Sequence, residues 1–453
     1  MTSRILVFLL LCSSLAHAGT VDDLEASCDR AHAKKGASNR LHWAEECVEQ
    51  IFTLDVVHPT IKTIAPGTGV ALGLGTQHIW RRNNFEYLPS LTVVSSFDGS
   101  VAVRSDFTVA LPPVSFGHVP APANDSQSQA RPRLGVVVDS IDIDAKASIS
   151  LHSYWLNAKQ QDFYGIGPLT SRSALAIYGL EQGGVGVSLN DPITTWGQVG
   201  LNVDFIRPRT LSVPNAGHHS IEQLYTSTTA PGLGTHSEFM RYEPYLHTRF
   251  RFVGSSRWKF LDLRVGDAFY EDLDGSQFSF QRLTATARTE YDILLPSLGT
   301  ASRRRAWKQF LCPSSRGARH CSVGTLDIVA HVSAAYTGTN SQVPFYLDET
   351  LGGADINGND TLRGYVDYRF RGPSRMLFQA EYRHGVWGPI GLLGFYDVGR
   401  VAERPSDLAF EHLRHDFGLG MTISATNRVV FRAYIGFGTG EGIRPNAKFG
   451  SIL

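Results

Sequence analysis

From Gly67 onward, apolar and polar residues alternate with a period of two, which sends successive side chains to opposite faces of a strand. In 143–155, Ile143, Ala145, Ala147, Ile149, Leu151 and Trp155 share one face; Asp144, Lys146, Ser148, Ser150, His152 and Tyr154 share the other. In 240–252, Met240, Tyr242, Leu246, Phe250 and Phe252 oppose Arg241, Glu243, Tyr245, His247, Arg249 and Arg251. In 376–383, Met376, Phe378, Ala380 and Tyr382 stand against Gln379, Glu381 and Arg383, and in 431–437 Phe431, Ala433, Ile435 and Phe437 oppose Arg432, Tyr434 and Gly436. The pattern predicts strands at 68–80, 86–96, 100–111, 133–140, 143–156, 173–188, 193–207, 238–253, 256–270, 277–294, 324–338, 374–384, 387–399, 414–424, 428–439 and 443–452. That is about 16 strands in an all-β domain at 67–453.

Residues 19–66 follow a different rule. Leu24, Cys28 and Ala31, then Leu41, Ala44, Cys47 and Ile51, fall at helical spacing on either side of Gly36-Ala-Ser-Asn, which predicts a short helical hairpin. Ahead of it, Arg4, the apolar run Ile5 to Leu11 and Ala16-His17-Ala18 read as a signal peptide, residues 1–18, and therefore as export. Leu9, Leu10 and Leu11 precede Cys12 where a lipobox needs a small residue. With Cys12 removed, Cys28, Cys47, Cys312 and Cys321 remain, an even number in a compartment where disulfides persist. Of the three connectivities, the local pairs Cys28–Cys47 and Cys312–Cys321 are the simplest.

Composition narrows the class. Lys plus Arg equals Asp plus Glu at 42 each, so nothing points to nucleic acid or another polyanion. No stretch after the signal reaches the ~18 to 20 apolar residues of a membrane helix. A soluble sandwich also alternates. The predicted strands, however, are often longer than the ~5 to 6 residues usual in globular sheets and match the ~9 to 11 that cross a bilayer at a tilt. A transmembrane antiparallel β-barrel is the expectation. Short connectors such as Asp98-Gly99, Asn190-Asp191-Pro192, Gly254-Ser255 and Ala425-Thr426-Asn427 mostly alternate with long ones, as in bacterial barrels. The connector 295–323, basic at Arg303-Arg304-Arg305, is long on the short-turn side.

The last third of the chain resembles the BamA/TamA superfamily of outer-membrane insertases and translocators, the bacterial surface antigen barrels. "LGGADINGNDTLRGY" is similar to that family's sixth external loop: a Gly352-Gly353 turn, then Leu362, Arg363, Gly364 and Tyr365. "FQAEYRHGVWGPIGLLGFYDVGRV" is similar to the next two strands, with the family's Phe-x-Asp-x-Gly at Phe395, Asp397 and Gly399. Upstream, "DFYGIGP" at 162–168 is similar to a segment between early strands. The resemblance implies a loop folded back into the lumen. Glu381 falls on the polar face read from the alternation, and Asp397 is placed inward because a carboxylate facing lipid is costly. Arg363 is thereby expected to bind Asp397, with Glu381 as second partner, as a latch or as a structural tether. Two departures stand out: 19–66 is too short for the family's periplasmic transport-associated domains, and Phe449-Gly-Ser-Ile-Leu453 lacks the family's terminal aromatic residue.

Other signals are weaker. His218-His219-Ser220 with Glu222 reads as a polar loop rather than a metal site, and Asp355-Ile-Asn357-Gly-Asn359-Asp360 lacks the order of an EF-hand. No metal, cofactor or catalytic motif is expected, so the chain is not read as an enzyme, and a barrel that hydrolyses lipid or ester substrates ranks last among the readings. The resemblance implies the bacterial outer membrane as location, its lipid as surroundings, unfolded outer-membrane proteins as clients and a periplasmic accessory protein as partner. Protein or lipid insertion or translocation through a lateral seam is the leading function; a passive channel or structural barrel is the alternative.

Overall fold

Valine, isoleucine, threonine and the aromatics fill the alternating runs because branched and ring side chains suit a pleated, half-buried surface. The computed structural model describes residues 58–449 apart from 63, 66, 83, 112–145, 195, 214–216, 253–256, 276, 297–319, 356–357, 388–389 and 426–427. The N-terminal strands are β1 (His58–Lys62), β2 (Ala71–Gln77), β3 (Trp80–Arg82), β4 (Phe85–Ser96), β5 (Val101–Ala110), β6 (Ser148–Phe163), β7 (Ala176–Thr194), β8 (Gly197–Leu211) and β9 (His219–Ser220). Next come β10 (Phe239–Arg251), β11 (Trp258–Asp272), β12 (Phe280–Pro296), β13 (His320–Thr337), β14 (Glu349–Leu351) and β15 (Phe370–Gly372). The chain closes with β16 (Ser374–Trp387), β17 (Ile390–Ala402), β18 (Arg414–Ala425), β19 (Arg428–Gly438) and β20 (Gly442–Phe449).

Each long strand pairs antiparallel with the next, from β1–β2 through to β19–β20. β2 and β3 both pair with β4 and form one interrupted strand. With β9, β14 and β15 outside the meander, sixteen strands remain among the described residues. β1 and β20 approach to within 8 Å between Cα atoms. No ladder among the described residues joins them.

The register shows which face meets lipid. Val199, Leu246, Val265, Ala285 and Val332 are successive ladder partners across five strands, and Val199, Leu246, Val265 and Val332 are 37–45% exposed. On the other face Arg241 pairs with Asp204, His247 with Asp262 and Arg288 with Asp327. An apolar outer belt around a charged interior is the arrangement of a barrel in a bilayer, where ladder pairing satisfies the backbone. No helix among the described residues is long and apolar enough to cross a membrane.

Three expectations change. β1 lies inside the segment expected to be helical, so the sheet starts by His58 rather than Gly67; five residues around Pro59 show no period, but Thr60 and Ile61 favour extension. β5 pairs directly with β6, so no strand lies between them, and the expected strand at 133–140 falls outside the described residues. Consequently the turn at 97–100 lies at the same end as 164–175, where Lys159 N donates to Ser100 Oγ at 2.9 Å, rather than among the short turns. The signal peptide, the helical hairpin, Cys28, Cys47 and Cys312 lie outside the described residues, and of Cys321 only the backbone, on β13 opposite Leu295, is described.

Candidate functional site

The connection 338–373, hereafter the long loop, enters and leaves through an apolar root. Phe345 packs edge-on against Phe163 and Tyr178, with centroids 5.1 and 5.0 Å away. Leu180, Ile221, Phe239 and Tyr346 belong to the same cluster. β14 and β15 pair with each other to form the stem, and Gly167 N donates to Arg371 O at 2.7 Å, which joins the 162–168 segment to it. Arg371 crosses the root, donating to Phe345 O at 2.7 Å and Tyr178 Oη at 3.1 Å.

Beyond the stem the chain must reverse sharply. Gly352 and Gly353 have φ of 117° and 58°, the region that only glycine enters freely. Gly353 N then donates to Leu362 O at 2.8 Å and Thr361 N to Gly353 O at 3.0 Å, so the turn carries its own ladder. Leu362 and Tyr365 pack with Leu351, Phe370, Leu377 and Val401, which presses the tip against β16 and β17. Gly399 lies on β17 opposite Leu377, beneath the side chain of Leu351.

Arg363 then projects into the wall. Its Nε and Nη2 donate to Oδ2 and Oδ1 of Asp397 at 2.7 and 2.8 Å, a planar fork on one carboxylate, and Nη1 donates to Glu381. The Arg363 backbone N donates to the same Asp397 Oδ2 at 3.3 Å, and Gln379 Nε2 to Oδ1 at 3.3 Å. Phe395 supplies the floor, its ring centroid 3.8 Å from the guanidinium carbon, and is itself held edge-on by Tyr434. Arg363 is 2% exposed and Asp397 0%. Gly364 permits this depth: its N donates to Asp416 Oδ2 at 3.0 Å, and a methyl on it would lie 2.7 Å from Gly438 N and 2.8 Å from Asp416 Cβ. Tyr365 Oη donates to His415 O at 3.2 Å.

The geometry brings together Arg363, Asp397 and Glu381, and adds residues that the sequence reading did not single out. Asp416, ladder partner of Asp397, takes the backbone of Gly364. Asp360 pairs with Lys448 and with Arg432, the latter at 2.8 Å, and Asp367 with Arg444 at 2.8 Å. Asp360 sits on the loop tip, where burial would raise its pKa, but Lys448, Arg432 and Arg363 together hold it below the ordinary carboxylate value. Arg444, Asn446 and Lys448 alternate with Ile443, Pro445 and Ala447, and that cationic face was the signal in the sequence that anions must lie opposite.

The weaker motifs resolve locally. Ser220 caps a single helical turn, Ile221–Leu224, whose Ile221 is buried in the root, while His218, His219 and Glu222 stay exposed as expected of a polar loop. Asp355 accepts from Asn359 N at 2.9 Å and Nδ2 at 3.1 Å, closing the 355–360 turn on itself.

No family model and no curated protein sequence matches the chain. Among solved structures, BamA from Haemophilus ducreyi lacking POTRA domains 1–3 aligns over 90% of this chain and 76% of its own, at 10% identity and a TM-score of 0.46. CdiB from Acinetobacter baumannii aligns over 84% of this chain at 12% identity and TM-score 0.43, and CdiB from Escherichia coli over 87% at 10% and 0.46. The barrel resembles those of BamA and CdiB. The chain spans 55% and 62% of the two CdiB chains, and at such identities the likeness concerns overall shape alone.

Proposed function

We propose that the protein is an outer-membrane barrel that helps proteins or lipids to enter or cross the membrane, without bond-making chemistry, by opening the seam between β1 and β20. The observation that carries this reading is the seam itself: a meander otherwise paired throughout has no ladder between its first and last strands among the described residues. Pro59 lies on β1 and Pro445 on β20, and each leaves its strand one backbone donor short. The long loop, fixed to the wall by Arg363, Asp397 and Glu381, is the element that would set the barrel's state. The order of the Leu-Arg-Gly-Tyr and Phe-x-Asp-x-Gly motifs supports the same reading.

The test is reconstitution. Purified protein in lipid vesicles is expected to speed the folding of an added unfolded outer-membrane protein about tenfold or more over empty vesicles, scored by protease protection, a gain of the order of 1.4 kcal/mol in barrier. A cavity of about 900 Å³, lined in part by Tyr154, Gln182, Asp204, Arg241, Arg264 and Arg375, favours a second reading as a channel for polar solutes. Ion conductance across the vesicle wall with no effect on client folding would select it.

A further inference from the structure

The long loop touches more than the latch strands. From the Arg363 site on β16 and β17 it runs along the inner wall past β18 and β19 to β20, the last strand, whose one ladder partner among the described residues is β19. Three contacts meet β20 or the turn before it. Arg369 Nε lies 2.7 Å from Glu441 Oε1, Asp367 Oδ2 2.8 Å from Arg444 Nη2, and Asp360 Oδ1 against Lys448 Nζ. The strand residues sit at alternate positions on the lumenal face, while Ile443 faces outward at 68% exposure.

Neither carboxylate is a loose surface partner. Asp360 also binds Arg432 on β19 at 2.8 Å, and so ties the last two strands to one side chain. Asp367 Oδ1 accepts from Ala354 N at 3.3 Å, which fixes it to the residue just beyond the Gly352-Gly353 turn. The backbone of Gly364 lies against Gly436 and Gly438 of β19, so the loop has no slack between its latch and its contacts with β20. A strand laddered on one side only is held less firmly than an interior strand, and charge-assisted bonds to a fixed loop add to its hold.

We propose that Asp360 and Asp367 are positioning residues that clamp β20, so that the long loop controls the edge strand of the seam as well as packing against β16 and β17. The inference rests on the seam reading given above and deepens it: what regulates the seam is the pair of loop carboxylates, and what they regulate is the strand a client chain would meet. Release of the loop tip would free β20 while β10 to β13, which the two carboxylates do not touch, keep their pairing.

Hydrogen–deuterium exchange of the full chain in lipid nanodiscs tests this. In Asp360→Asn/Asp367→Asn, the amides of Gly442–Phe449 are expected to exchange about tenfold faster, the scale of one lost hydrogen bond to a charged group, with β11 and β12 unchanged. Arg444→Asp alone should give a similar local loosening, and adding Asp367→Arg should restore protection. Unaltered exchange in β20, equal loosening of all strands, or a swap that restores nothing would overturn the clamp. Client folding is followed in parallel: a loosened β20 with unaltered client folding removes the insertion reading and leaves the clamp, whereas unaltered β20 exchange removes the clamp whatever clients do.

Discussion

Replacing Arg363 with alanine strikes the most deeply buried charge contact in the lumen. The guanidinium makes three charge-assisted side-chain bonds, two to Asp397 at 2.7 and 2.8 Å and one to Glu381, and lies 3.8 Å above the Phe395 ring. Alanine leaves Asp397, at 0% exposure, without its guanidinium partner and with long bonds of 3.3 Å from the backbone of residue 363 and from Gln379. Breaking a buried pair in this way costs about 3–5 kcal/mol, whereas an exposed pair would cost about 0–1 kcal/mol. Arg363→Lys keeps the charge but loses the fork and the flat face over Phe395, so its cost should lie between. Urea unfolding in lipid bilayers, with the variants Arg363→Ala, Asp397→Ala and the double variant, measures both the cost and the coupling. The double variant should be little worse than either single one, so the coupling should come close to the cost of one single variant, about 3 kcal/mol or more. An Arg363→Ala protein within about 0.5 kcal/mol of wild type, or costs that simply add, would refute the reasoning.

Two further outcomes follow from the loop's packing and charge. Gly364→Ala places a methyl 2.7 Å from Gly438 N, a backbone atom that cannot swing aside, so about 1–3 kcal/mol of overpacking should appear in the same unfolding measurement, and wild-type stability would contradict the close approach. Asp360 is held below its ordinary value, so its contribution is present in full above the unfolded pKa of about 3.9 and is lost as pH falls through the lower folded value. Protease nicking of the long loop should therefore stay constant from about pH 7 to 5 and rise below about pH 4, and Asp360→Asn should remove that acid step; a step that persists in the variant would assign it elsewhere.

Much of the wall was legible because its two faces differ so sharply. Leu246 and Val265 against Arg241, Glu243 and His247 leave one choice of which side meets lipid, and pairing then fixes neighbours two by two. The short strand β1 was not legible, since five residues around a proline show no period. The latch was readable from motif order: Arg363, Asp397 and Glu381 lie within 35 residues, on a loop and the two strands that follow it. The clamp on β20 was not. Its partners are separated by 72 to 88 residues, and the 354–369 stretch, rich in turn formers, gives no period to say which carboxylate faces the wall. Only the folded path of the loop, set by Gly352, Gly353 and Gly364, brings Asp360 and Asp367 to the last strand.

The most direct measurement covalently closes the seam. In a cysteine-free background, Thr60→Cys on β1 is combined with single cysteines scanned along Gly442–Phe449 of β20, and the pair that crosslinks is reconstituted with an unfolded outer-membrane client. Oxidation is expected to stop the acceleration of client folding, and reductant to restore it. Full acceleration with the seam covalently closed would contradict opening at the seam.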